Sequence, residues 1–170
     1  MAVTHFKGQD VELSGIELNV GDMAPVVKLI NSELKEVEVG GKKDKSQLLI
    51  VVPSLDTDTC RAETKRFNQE VAMLDMADIF VISQDLPFAQ KKFCVSEGID
   101  NLMILSDYID KEFGKNYGVL MANSPLKGLL CRAIFIVNEY GVVSYKEIVP
   151  EVTEEPNYER ILEAIKDTRV

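Results

Sequence analysis

Unbroken hydrophobicity, rather than alternation, marks the middle of the chain. Leu48-Leu49-Ile50-Val51-Val52 is a continuous apolar run ended by Pro53, the pattern of a strand covered on both faces. Ile79–Ser83, Leu102–Leu105 and Ala133–Val137 repeat it more briefly. From Cys60 to Leu74 the period changes. Phe67, Val71 and Leu74 recur at spacings of three and four, while Arg61, Lys65, Arg66 and Glu70 are left for water, which predicts a helix. Pro87 opens a second helix that runs to Glu97 and stops at Gly98. Lys111–Tyr117 predicts a short helix closed by Gly118, and Tyr158–Lys166 an amphipathic one entered through Pro156-Asn157.

Shorter strands flank this region. Val3–Phe6 and Val11–Leu13 predict an N-terminal hairpin around Gly8-Gln9-Asp10. Val26–Ile30 and Glu36–Val39 follow, the latter ending in the charged turn Gly40–Lys45. Late in the chain, Ala133–Val137 and Val142–Ile148 flank Asn138-Glu139-Tyr140-Gly141 and predict another hairpin. Strand, helix, strand, helix, strand, then a hairpin and a last helix make an α/β fold. Its mixed central sheet, flanked by helices, has parallel crossovers first and antiparallel pairing later. A thioredoxin-like architecture fits this order, and so do other folds. No repeat or linker divides the 170 residues, so a single domain over 1–170 is expected.

Charge narrows the partners. A formal net charge of −9 argues against a nucleic-acid binder, which needs a basic face, and against an anionic membrane surface. No apolar run approaches the roughly 18 residues of a membrane span, and the first residues lack the apolar core of a secretory signal. A cytoplasmic protein is expected. The cysteines fall at 60, 94 and 131, an odd number that makes no disulfide framework. Each is therefore either a buried apolar residue or a working thiol.

Cys60 is the first candidate because it opens a helix after a buried strand. Unpaired N–H groups and the positive end of the helix dipole favour an anion there, and such sites lower cysteine pKa values to roughly 3.5–7.5. Thr57, three residues earlier, offers a hydroxyl to a thiolate or a peroxide oxygen. Pro53 stiffens the turn and can shield one side of a pocket. The same segment reads equally well as a capped strand-to-helix turn with an inert cysteine. Arg132, at the mouth of Ala133–Val137, either supplies the missing positive charge or makes an ordinary salt bridge. Cys94 lies on a helix that Phe88 and Phe93 make apolar. It is either buried packing or a thiol that resolves a sulfenic acid. No Cys-x-x-Cys is present, and His5 suggests no site.

The ordered set is more specific than its parts. Pro53-x-x-x-Thr57-x-x-Cys60 with a distant Arg132 resembles the peroxiredoxin signature, and the match extends to the bacterial thiol peroxidase branch. Arg66-Phe67-Asn68, Ser83-x-Asp85-Leu86-Pro87-Phe88-Ala89-Gln90, Phe93-Cys94, Tyr117-Gly118-Val119, Pro125–Leu129 and Glu154-Glu155-Pro156-x-Tyr158 carry it. The resemblance implies a thioredoxin fold and a homodimer. Cys60 would be the peroxidatic cysteine, Cys94 the resolving cysteine within the same subunit, and Thr57 and Arg132 the residues that polarise peroxide and hold the thiolate. It implies hydrogen peroxide and alkyl or lipid hydroperoxides as substrates, thioredoxin or a similar dithiol as reductant, and neither metal nor organic cofactor.

The chain departs from the pattern in two places. Asp58 and Thr59 stand where small or apolar residues are expected, and an acid beside Cys60 would oppose a thiolate. Cys131 stands where a small residue is expected. Strand alternation turns it away from Arg132, which predicts a structural thiol. Two other readings use the same thiols: a redox sensor whose turnover is incidental, and a thioredoxin-like domain with inert cysteines.

Overall fold

The computed structural model describes residues 2–71 and 77–167, with backbone alone for residue 71. Among the described residues, ten strands and four α-helices follow one another. They are β1 (Val3–Phe6), β2 (Gln9–Ser14), β3 (Val27–Ile30), β4 (Glu36–Val39), β5 (Ser46–Val51), α1 (Asp58–Arg66), β6 (Ala77–Ser83), α2 (Pro87–Glu97), β7 (Met103–Ser106), α3 (Glu112–Tyr117), β8 (Leu120–Met121), β9 (Ala133–Val137), β10 (Val143–Ile148) and α4 (Tyr158–Asp167). A seven-stranded sheet in the order β10-β9-β5-β6-β7-β3-β4 forms the centre. The β5–β6 and β6–β7 pairs are parallel, while β9 runs antiparallel to both β5 and β10. The expected mixed sheet and N-terminal hairpin are both present.

The apolar runs are continuous because both faces of the sheet are covered. Leu48 and Ile50 of β5 and Ile134 and Ile136 of β9 pack with Phe67, Phe93, Ile161 and Ile165 on one face. Leu49, Val51, Phe135 and Val137 pack with Phe113, Tyr117, Val11 and Met121 on the other. Helices α1, α2 and α4 therefore share a face with Cys60, whereas α3 and the N-terminal hairpin cover the opposite one. The pairing of β2 with the two-residue β8 had no periodic signal in the sequence.

The first helix differs from its sequence pattern in two ways. It starts at Asp58, two residues before the expected start, and passes into a π-helical turn at Phe67–Val71. Leu74, the last residue of the expected period, lies outside the described residues. The second helix begins with Pro87 and ends at Gly98, whose φ of 67° is the left-handed conformation that a Cβ disfavours. Phe88 does not help bury that helix as expected. It is 71% exposed, and Phe93 alone of the two aromatic rings faces the core.

Candidate active site

Cys60 reaches its position through the turn that joins β5 to α1. Thr57 is the N-cap of α1, and its Oγ1 accepts from the Cys60 N–H at 3.3 Å while donating to Ser54 O at 3.1 Å. Cys60 is thus the third residue of the helix, within the zone where the dipole favours negative charge. Pro53 is buried just beyond the end of β5. In this geometry the Thr57 proton is spent on the backbone, so presenting it to an oxygen at the sulfur requires the hydroxyl to turn.

Asp85 fixes the same turn from the side. Its carboxylate accepts from Ser54 Oγ at 2.7 Å, Leu55 N at 2.8 Å and Ser83 Oγ at 2.7 Å, which ties the turn to the end of β6. Asp85 was legible only as part of a family-like string and not as a site residue. Its signal was a carboxylate just past a buried strand with a serine two residues before it. Asp85→Ala should therefore loosen the loop and lower the first-turnover peroxide rate by about tenfold. Loss of buried partners should cost about 1–3 kcal/mol of stability. Stopped-flow kinetics with urea unfolding reads both.

Arg132 supplies the positive charge. It is only 2% exposed, and its Nη1 lies 3.2 Å from Cys60 Sγ and 2.8 Å from Glu63 Oε1. Its Nε donates to Val152 O at 2.8 Å, and its carbonyl accepts from Val149 N. The guanidinium is therefore anchored to the backbone beyond β10, not left to choose a rotamer. Glu63 is one helical turn after Cys60 on the same face of α1, fully buried. The sequence reading passed over it. Its spacing of three from Cys60 was the available signal. Burial, against the pull of Arg132, holds the Glu63 carboxyl up at about 7. Burial works against the charge of Arg132, but its contacts with Glu63 and Cys60 more than offset this and hold its pKa up.

Asp58 lies at the surface of α1 beside the site. Its side chain is fully exposed and pairs with Arg61 Nη1 at 3.3 Å, and as the first residue of α1 it complements the dipole. Thr59 Oγ1 donates to Thr153 O at 3.1 Å. Asp58→Asn should change the rate of Cys60 with hydroperoxide by less than about twofold, because solvent screens so exposed a charge. A rate comparison at low and high salt checks this.

The remaining thiols are placed differently. All three cysteines are free. Cys94 is half-buried in the last turn of α2, where its carbonyl accepts from both Gly98 and Ile99; burial pushes its thiol up. Between α2 and the Cys60 turn lies a cleft of about 290 Å³ lined by Leu55, Asp56, Arg61, Asp85, Phe93 and Glu97, among others. Glu97 spans from α2 to α1, at 3.3 Å from Arg61 Nε and 3.4 Å from Lys65 Nζ. Cys131 is fully buried among the residues of the opposite face, with its thiol pushed up to about 12 by burial. It points away from Arg132, as strand alternation predicted.

Comparison with known proteins bears on what this arrangement does. The profile of the Redoxin family matches residues 19–162. The curated thiol peroxidase of Aquifex aeolicus is 47% identical over 163 residues, which is 96% of each chain. That of Campylobacter jejuni is 45% identical, covering 95% of this chain and 91% of its own. Among solved structures, a peroxiredoxin-like protein from Aquifex aeolicus superposes with a TM-score of 0.96 at 45% identity, covering 99% of this chain and 98% of that one. A thiol peroxidase from Chromobacterium violaceum, 21% identical, covers 98% of this chain and 97% of its own with a TM-score of 0.85, and speaks to the fold alone. A thioredoxin-like sheet, a cysteine held against an arginine at a helix start and these relatives agree: the chain belongs to the redoxin family and is a thiol peroxidase of the peroxiredoxin type.

Proposed function

We propose that Cys60 is the peroxidatic nucleophile, that Cys94 resolves it within the same subunit, and that Thr57, Arg132 and Pro53 form the pocket around the sulfur. The observation that carries this is the 3.2 Å approach of Arg132 Nη1 to Cys60 Sγ at the buried start of a helix. A thiolate there meets the guanidinium and the helix dipole together, in a site from which water is excluded.

The cycle runs in three steps. The thiolate attacks the terminal oxygen of a hydroperoxide, the O–O bond breaks, and the departing alkoxide or hydroxide takes a proton. Arg132 and Thr57 stabilise the charge that builds on the two oxygens. Sulfur, oxidised by two electrons, is left as sulfenic acid. The Cys94 thiol then attacks that sulfur and expels water to give the Cys60–Cys94 disulfide. Thioredoxin or a similar dithiol returns the two electrons by exchange. Hydrogen peroxide and alkyl or lipid hydroperoxides are the substrates of this reading, and its setting is the cytoplasm. Exposed Leu86 and Phe88 at the start of α2 suit a homodimer contact.

The test is a coupled assay with thioredoxin, using hydrogen peroxide and a bulky alkyl hydroperoxide, on wild type and the three single Cys→Ser variants. Cys131→Ser should cycle, while Cys60→Ser and Cys94→Ser should not. Full cycling in Cys94→Ser, lost only when Cys131 is also removed, would give the resolving role to Cys131.

A further inference from the structure

Arg132 faces two acids. Its Nη1 is shared between Cys60 Sγ at 3.2 Å and Glu63 Oε1 at 2.8 Å, with Cys60 and Glu63 both at 0% exposure. The second carboxyl oxygen, Glu63 Oε2, is buried with no hydrogen-bond partner. A thiolate and a carboxylate ionised together would leave a buried net negative charge around one guanidinium, with one of the oxygens unsatisfied. Both are costly.

The surroundings do not relieve this. Two further carboxylates act on Glu63, Glu155 before α4 and Glu147 at the end of β10, and both disfavour its ionised form. Tyr158 of α4 is close enough to feel the Glu63 charge, and its hydroxyl donates a hydrogen bond to Glu155 Oε1 at 2.6 Å. Arg132 is the cation paired with Glu63, at 2.8 Å.

We infer that Cys60 and Glu63 hold a single proton between them under Arg132, so that Glu63 is the positioning residue that carries it whenever Cys60 is a thiolate. This rests on the assignment of Cys60 as the peroxidatic thiol. Like-charge coupling of this kind makes the two protons leave in steps that belong to the pair. Burial that holds the Glu63 carboxyl up at about 7 agrees with it.

The shared proton closes the balance of the reaction. Full oxidation joins the Cys60 thiolate and the Cys94 thiol in a disulfide and splits the hydroperoxide into an alcohol and water. The sulfurs supply two electrons, and the two oxygens need two protons. Cys94 supplies one. Glu63 supplies the other and ends ionised, with Arg132 no longer shared with a thiolate. A pocket built this way takes no proton from solvent during the oxidative half of the cycle.

The experiment mixes the reduced protein, without external reductant, with one equivalent of hydrogen peroxide in weak buffer near pH 7.5. An indicator dye follows proton uptake. Wild type should take up close to none, and Glu63→Gln about one proton per peroxide, because its thiolate has lost the internal source. Glu63→Met, which fills a similar volume without a buried amide, carries the same expectation should the glutamine variant fold poorly. Equal uptake in wild type and the variants overturns the inference. If wild type consumes the peroxide, Cys60→Ser does not, and uptake is still equal, only the role of Glu63 fails. If Cys60→Ser consumes peroxide as wild type does, the assignment of Cys60 fails first.

Discussion

Arg132→Met should slow the reaction of Cys60 with hydroperoxide by about 10²–10³-fold, since removing one preorganised donor to developing oxyanion charge has that effect in other enzymes. It should also destabilise the fold, and in a pH-dependent way. Removing one partner of a buried pair typically costs about 3–5 kcal/mol because the other is left uncompensated. Here that other is Glu63, paired at 2.8 Å in wild type.

The sign of the pH effect follows from proton counting. An acid held higher in the folded than in the unfolded protein binds more protons when folded, so stability falls as pH rises between its two values. For wild-type Glu63 that window runs from 4.5 to about 7, and without Arg132 it extends further upward. The loss in Arg132→Met should be small near pH 5 and largest near pH 8. Adding Glu63→Gln should recover much of the stability at pH 8 and none of the lost rate. Urea unfolding at both pH values and stopped-flow kinetics separate the two effects. A loss equal at pH 5 and pH 8 would show that Glu63 is not the group left uncompensated.

Cys94→Ser should leave the first turnover within about twofold of wild type yet cut thioredoxin-driven turnover by on the order of a hundredfold, because the sulfenic acid then lacks its partner. A disulfide requires the two Cα atoms within about 7 Å. The cysteines sit on different helices, as free thiols. Cys94 is also half-buried, with a thiol that burial pushes up, and a thiol in that state is a poor nucleophile. Resolution therefore demands movement, and the structure points to where. Cys94 occupies the last turn of α2, ended by Gly98, while the salt bridges of Glu97 to Arg61 and Lys65 hold that turn against α1. On oxidation, amide protection should fall at residues 58–61 and 91–98 in wild type and remain in Cys94→Ser. Unchanged protection in oxidised wild type would contradict the movement.

How much of this could be read from the sequence depended on how locally each feature was determined. The buried strands announced themselves because Leu48–Val52 and Ala133–Val137 feed apolar residues to both faces of one sheet. The partnership of Cys60 with Arg132, 72 residues apart, follows from the pairing of β5 with β9. No local pattern contains that pairing, and it was reached through the family-like string of motifs. Glu63 stayed hidden because a glutamate on an amphipathic helix ordinarily faces water, and only the buried guanidinium explains why this one does not. The worry over Asp58 had the same root. Sequence gives its distance along the chain from Cys60, but not that its carboxylate points outward to Arg61. The two residues of β8 carry too short a pattern to be seen at all.

The central claim is that Cys60 is the thiol that meets peroxide. Its most direct test is single-turnover oxidation of the reduced protein by one equivalent of hydroperoxide, followed by peptide mapping, with Cys60→Ser alongside. Wild type should lose peroxide rapidly and form one Cys60–Cys94 disulfide, and Cys60→Ser should consume no peroxide above background. Peroxide consumption by Cys60→Ser at the wild-type rate would contradict it.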